Sequence, residues 1–170
     1  SVYHIDAGCY TDDHRRLLDR VSEQAGAVIK NSMLFEQTQS DSLTDPLTGL
    51  PNRSYLVESL ERSLSRQRTH PRAAFAVLFL DLDRFKVIND SVGHLVGDEL
   101  LKLAAMRLIA CVPSHGVVAR LGGDEFAILL EHGVDTAAAC LVAQRVIDAI
   151  SEPMPIAGKE LFSSASVGIV

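Results

Sequence analysis

Apolar and polar positions fall into blocks that divide most of the chain into elements. Ala73 to Leu80 (AAFAVLFL) is an unbroken apolar run, the pattern of a β-strand covered on both faces. Gly116 to Leu121 and Ala127 to Leu130 are two more apolar runs. They are joined through Gly122-Gly123-Asp124-Glu125-Phe126 and predict an antiparallel hairpin turning at the glycine pair. Arg53 to about Gln67 reads as a charged amphipathic helix, with Thr69-His70-Pro71 as its exit loop. Gly93 and Gly97 interrupt the next helical pattern, which predicts a short helix, a turn, and a long helix from Asp98 to Ala110 behind the sheet. Thr136 to Ile150 predicts a further helix and Ser163 to Val170 a last strand.

The N-terminal part has a different pattern. Ser1 to Tyr10 is strand-like but short, and Thr11-Asp12-Asp13 makes an N-cap for a long helix to about Gln39. Leu18, Val21, Ala25, Val28, Ser32 and Phe35 recur at alternating three- and four-residue steps. That is a heptad seam with one polar interruption, which fits either a parallel coiled coil or an amphipathic helix packed on its own domain. Gln37 to Asp45 is polar and Pro46 follows, so the predicted division is 1–40 and 41–170.

Composition narrows the class. With 170 residues, 47% of them hydrophobic, the chain is large enough for one good core plus a helical appendage. Its longest apolar runs are far shorter than a membrane span and no signal peptide is visible, so a soluble, cytoplasmic domain is expected. A net charge of −6 argues against nucleic acid as a partner. Cys9, Cys111 and Cys140 are too scattered for a zinc site or a disulfide framework, and His94, beside Gly93, reads as structural.

Two groups of acids stand out against the apolar runs. Asp81-Leu82-Asp83 follows the buried strand, and Asp124-Glu125 follows the glycine turn at the root of another. A strand end fixes the direction of a carboxylate while leaving it open to a ligand. If the two strands pair, Asp81 and Asp124 converge, and with a backbone carbonyl such as that of Leu82 they offer an oxygen-only site suited to Mg²⁺. The alternative is plainer: solvated acids beside a hairpin, with Asp81 and Asp83 capping the following helix, a reading that suits Asp83 better than Asp81. Asn89 and Asp98 likewise admit two readings. An amide and a carboxylate facing one cleft can recognise the edge of guanine, or Asn89 ends a turn and Asp98 caps a helix.

Taken together, Asp81-Leu82-Asp83-Arg84-Phe85-Lys86-Val87-Ile88-Asn89-Asp90, Gly93-His94, Gly97-Asp98 and Arg120-Leu121-Gly122-Gly123-Asp124-Glu125-Phe126 resemble the GGDEF family of diguanylate cyclases. Asp45-Pro46-Leu47-Thr48-Gly49-Leu50-Pro51-Asn52-Arg53 resembles that family's opening signature. The resemblance runs from about Asp45 to Val170. It implies an α/β sandwich related to the palm of polymerases and nucleotidyl cyclases, ferredoxin-like, with a mostly antiparallel sheet and helices, here preceded by the long N-terminal helix.

It also implies a reaction: condensation of two GTP into cyclic di-GMP with release of pyrophosphate, by attack of a ribose 3′-hydroxyl on an α-phosphate across a homodimer. Asp81, the Leu82 carbonyl and Asp124 would hold Mg²⁺ or Mn²⁺, and Glu125 would help bind metal or deprotonate the hydroxyl. Asn89 and Asp98 would recognise guanine. The backbone near Arg84 and Phe85, with Lys86 and the Gly122-Gly123 turn, would face the phosphates, and Arg120 is a weaker phosphate candidate. Two divalent ions roughly 3.5–4 Å apart suit such chemistry.

Tyr10 to Gln39 faintly resembles the closing helix of a GAF sensor domain, which implies an N-terminal sensor as partner. The family's usual continuation after the last strand is missing, so the chain is expected to lack the C-terminal portion of the domain. Many relatives carry an Arg-x-x-Asp product-binding site before the glycine turn. Here Pro113 and Gly116 stand in those positions, so product inhibition through that site is not expected. A second reading is a GTP-binding regulatory module that controls an attached cyclic di-GMP phosphodiesterase. A third is a dimerising linker with a catalytically dead core.

Overall fold

In the computed structural model, which describes residues 43–70, 73–131 and 133–170, the apolar runs build one sheet. The elements follow in the order α1 (Arg53–Thr69), β1 (Ala76–Leu82), α2 (Phe85–Val92), α3 (His94–Cys111), β2 (Val117–Gly122), β3 (Glu125–Leu130), α4 (Thr136–Ser151), β4 (Met154–Ile156), β5 (Lys159–Leu161) and β6 (Ala165–Ile169). The sheet order is β2-β3-β1-β6, with every neighbour antiparallel. This is the α/β arrangement expected, a mostly antiparallel sheet with helices packed on it. The strand-like start, the long N-terminal helix, its heptad seam and the sensor-like stretch lie outside the described residues.

Side-chain alternation explains the layers. Leu78, Leu80 and Leu82 of β1 and Phe126, Ile128 and Leu130 of β3 point to one face, where Leu100, Ala104 and Leu108 of α3 and Val142 and Val146 of α4 cover them. Val77, Ala127 and Leu129 point to the other face and meet Leu56 of α1. Cover there is incomplete: Phe79 is 46% exposed, so β1 is not buried on both faces as its apolar run predicts. Asp81 shares the parity of Val77 and Phe79 and therefore leaves the sheet on this more open face.

Local chemistry sets the helix ends. The Asn52 side chain accepts from the Tyr55 amide at the start of α1, and Asp135 accepts from the Ala138 amide at the start of α4. At the far end of α4, Arg107 reaches across from α3 and donates to the carbonyls of Ala149 (2.8 Å), Glu152 (2.7 Å) and Pro153 (2.6 Å). One guanidinium thus satisfies a last-turn carbonyl, the C-cap carbonyl and the one after it. Arg107→Ala is expected to cost about 1–3 kcal/mol, read from chemical denaturation, because the carbonyls lose a charged donor.

Three sequence expectations are corrected. The long helix begins at His94, not Asp98, and Gly97 lies buried inside it. Asp98 is therefore the fifth helical residue and not its N-cap. Second, β1 extends past Leu80 through Asp81 and Leu82, so the acids begin within the strand. Third, β4 and β5 form a small hairpin that apolar patterning missed, because each strand has only three residues. Its two-residue turn, Ala157-Gly158, has positive φ at both positions (51° and 74°), the geometry of a tight hairpin turn. Among the described residues no helix is long and apolar enough to cross a membrane.

Candidate active site

Strand register brings the two acidic groups together. Asp81 on β1 stands opposite Glu125 on β3 and opposite Ser166 on β6. The Leu82 amide donates to the Asp124 carbonyl at 3.3 Å, which ties the end of β1 to the turn residue itself. The turn itself is Gly123-Asp124, one residue later than the glycine pair predicts, so Asp124 lies in it. Gly122 (φ 144°) ends β2 paired with Glu125 and Gly123 (φ 54°) opens the turn, both angles costly for a residue with a Cβ. Asp124 is half-buried and Glu125 exposed, so the acids sit at an open strand end.

The charges interact. Partial burial, then repulsion from Asp124, Glu125 and Asp83, raises the Asp81 carboxyl above its ordinary pKa. Its folded-state pKa is thus above the unfolded one. Asp81 favours the fold when protonated and opposes it once ionised at neutral pH. Asp81→Asn is therefore expected to stabilise the metal-free protein at neutral pH. The gain should be under about 1 kcal/mol, since water screens an exposed group. In chelator it should shrink as pH falls through the carboxylate range, where the wild-type side chain is itself protonated; thermal unfolding at two pH values reads it.

Asp83 does something else. It was expected to cap the following helix, but Arg84 occupies the N-cap position and no side-chain cap is present. Asp83 instead accepts from the Ser164 hydroxyl (2.6 Å) and the Ser166 hydroxyl (2.7 Å), while its amide donates to the Ser164 carbonyl (2.9 Å). Those two hydroxyls hold its carboxyl below the usual range, against partial burial and with help from Arg84. Asp83 therefore fastens the end of β1 to the start of β6. Patterning gave no signal for this, because the partners lie some eighty residues away.

Arg84 adopts the left-handed conformation (φ 59°, ψ 22°), which turns the chain sharply from β1 into α2. Phe85 is then buried at the start of α2, Lys86 is exposed beside it, and the first-turn amides have no intrahelical acceptor. An open cleft of about 660 Å³ lies alongside, lined by Asp81, Asp83, Arg84, Val87, Phe162 and Ser164. Asn89, on α2, rests against Gly97 of α3, the residue before Asp98, so both guanine candidates lie at one helix junction.

Arg120 is corrected as a phosphate candidate. Its guanidinium donates from Nη1 to both Asp45 oxygens (3.0 and 3.2 Å) and from Nε and Nη2 to the Gly123 carbonyl (3.1 and 2.7 Å). Asp45 also accepts from the Thr48 amide (2.8 Å) and hydroxyl (2.6 Å). Burial raises the Asp45 carboxyl, but Thr48 and Arg120 outweigh it and the net shift is downward. Sequence reasoning missed this clamp, although Thr48 three residues after Asp45 is a recognisable turn signal.

The donor set fits a hard divalent cation: carboxylates and carbonyls only, with one carboxyl kept reluctant to ionise by its neighbours. Among the described residues no three His, Cys, Asp or Glu side chains are grouped closely enough to hold an ion unaided.

Residues 42–170 match the diguanylate cyclase, GGDEF domain family, and the chain belongs to it. It is 44% identical over 128 residues to the bifunctional diguanylate cyclase/cyclic di-GMP phosphodiesterase MucR of Pseudomonas aeruginosa, covering 75% of this chain and 18% of that protein. It is 40% identical over 160 residues to the diguanylate cyclase TpbB of the same species, covering 93% of this chain and 36% of that protein. The crystal structure of the TpbB GGDEF domain superposes with a TM-score of 0.69 at 41% identity, covering 72% of this chain and 76% of that one. The chain thus spans well under half the length of these two relatives.

Proposed function

We propose that the protein carrying this chain is a diguanylate cyclase, joining two GTP into cyclic di-GMP with release of two pyrophosphates. The observation that carries the reading is the pairing of Asp81 with Glu125, next to Asp124, at an open strand end. Asp81, Asp124 and the Leu82 carbonyl would hold Mg²⁺ or Mn²⁺, with Glu125 binding metal or taking the proton of the 3′-hydroxyl. Divalent ions held there would supply a lowered pKa for the attacking hydroxyl and charge neutralisation for the departing pyrophosphate.

The rest of the site binds and orients. Asn89 and Asp98 recognise guanine, and the Arg84–Phe85 backbone with Lys86 receives the phosphates at the start of α2. Asp83 and Arg120 contact no substrate in this reading; they hold the strand end and the glycine turn where the acids must meet. Each domain presents one GTP, so two copies face each other and a monomer is inactive. Positioning supplies most of the catalysis in such phosphoryl transfers.

A second reading is a GTP-binding module that regulates an attached phosphodiesterase, favoured by the likeness to relatives named as cyclic di-GMP phosphodiesterases. Incubating the natural protein with GTP and Mg²⁺ and separating the products by chromatography distinguishes the two. Cyclic di-GMP formed with two equivalents of pyrophosphate supports the cyclase. GTP binding without turnover, coupled to faster cyclic di-GMP hydrolysis, supports the regulator.

A further inference from the structure

Gly97 occupies an unexpected place. It lies inside α3 and is buried, although alanine is favoured over glycine at such a position. Its backbone needs no positive φ, so chain conformation does not explain it. The explanation is a neighbour: a Cβ built on Gly97 would collide with Asn89 Oδ1 and lie 2.9 Å from Asn89 Cγ. The Asn89 side chain, reaching over from α2, fills the notch that a side chain at 97 would take.

Asn89 Oδ1 is also buried and has no hydrogen-bond partner, the sole such side-chain atom among the described residues. A buried unpartnered amide oxygen is unfavourable and calls for a reason. The turn through Gly93 supplies the geometry: its amide donates to the Asn89 carbonyl (2.9 Å), and its own carbonyl accepts from the Gly97 amide (3.2 Å). Asn89 and Gly97 are thus bound to the same pivot and set against each other.

We propose that Gly97 is a positioning residue for nucleotide selectivity. By lacking a side chain it lets the Asn89 amide lie in the groove beside Asp98, and this seat aligns that amide for the base. The inference rests on the reading of Asn89 as a guanine contact and extends it to a residue that touches no ligand. A Cβ at position 97 evicts the amide. The fold accommodates this, because the displaced atoms are the free end of one side chain.

The test is a double-mutant cycle in the natural protein with Asn89→Ala, Gly97→Ala and both together. Calorimetric titration with the α,β-methylene analogues of GTP and of ATP, each with Mg²⁺, reads affinity without turnover, because their α,β-bridge cannot break to release pyrophosphate. ATP shares the triphosphate and ribose, so the ratio of the two dissociation constants isolates the base. Each single variant is expected to shrink that ratio about tenfold, the scale of one hydrogen bond, with ATP affinity unchanged. The double variant should shrink it no further, and adding Gly97→Ala to the Asn89→Ala background should raise the melting temperature.

If Asn89→Ala loses selectivity while Gly97→Ala keeps it, the inference about Gly97 is overturned and the guanine contact stands. If Asn89→Ala itself keeps full selectivity, the guanine reading fails and this inference with it. Equal weakening of GTP and ATP by Gly97→Ala also overturns it, since that marks general damage. Should Gly97→Ala not fold, the double variant decides. Its folding supports the collision with Asn89, and its failure shows that Cβ meets something else.

Discussion

Replacing Asp81 or Asp124 with asparagine is expected to lower cyclic di-GMP synthesis by at least about 100- to 1,000-fold, the cost of removing a group that stabilises developing charge. Asparagine keeps the shape and removes one anionic ligand, so the loss is chemical and not structural. Asp81→Asn should in fact fold at least as well in chelator, because its neighbours oppose ionisation of the native carboxyl. A variant that is inactive yet no less stable separates a working group from a packing group. Glu125, opposite Asp81 in the register, should give a similar loss if it takes the hydroxyl proton. By contrast, Asp83→Asn should retain most activity, since its amide oxygen still accepts from one of the Ser164 and Ser166 hydroxyls and its NH2 donates to the other once that hydroxyl rotates to accept. Rates of pyrophosphate release over a GTP titration measure all four. Near-normal turnover by Asp81→Asn or Asp124→Asn would remove both residues from the catalytic site.

Arg120→Ala is expected to have the second largest effect, on stability and activity together. The side chain is only 10% exposed and Asp45 17%, so the pair is shielded and deletion strands a carboxylate. Thr48 still donates two hydrogen bonds to it, which keeps the expected loss near 2–4 kcal/mol, below that of a fully orphaned buried charge. Gly123 loses both donors to its carbonyl at the same time, and the turn bearing Asp124 is released. Metal-dependent GTP binding should therefore weaken about tenfold even where the variant is fully folded. Lysine should not rescue, because a single ammonium cannot span Asp45 and Gly123 as the guanidinium fork does.

The pH dependence has a definite sign. The folded-state Asp45 carboxyl titrates below its ordinary value, so it adds stability above the usual carboxylate range and loses it as pH falls through that lowered pKa. The stability gap between wild type and Arg120→Ala should accordingly be widest near neutrality and close in acid. Urea unfolding at several pH values measures it. A gap that stays constant with pH would show that the ion pair does not carry the effect.

Periodicity could show some of this and not the rest. Ala73 to Leu80, the two runs flanking Gly122-Gly123, and the amphipathic stretches at Arg53 and Thr136 carry local patterns, and each became the predicted kind of element. The meeting of Asp81 with the Asp124-Glu125 pair was legible too, because both follow apolar runs long enough to pair. What stayed hidden depends on contacts between distant residues. Asp83 looks like a cap from its neighbours and is claimed by two serines on β6. Arg120 looks available for a phosphate and is committed to Asp45. Gly97 looks like a helix breaker, since a local pattern cannot show that an amide from α2 fills its place. Ala157 takes a positive φ that its residue type argues against.

Direct binding of Mn²⁺, a spectroscopic substitute for Mg²⁺, tests the central claim without relying on turnover. Electron paramagnetic resonance of the protein with the α,β-methylene analogue of GTP, which cannot release pyrophosphate, should show the ion bound in the wild type. Binding should fall at least tenfold, one step of about 1.4 kcal/mol, in Asp81→Asn and equally in Asp124→Asn. Retention of wild-type Mn²⁺ binding by either variant would contradict a site shared between the two strand ends.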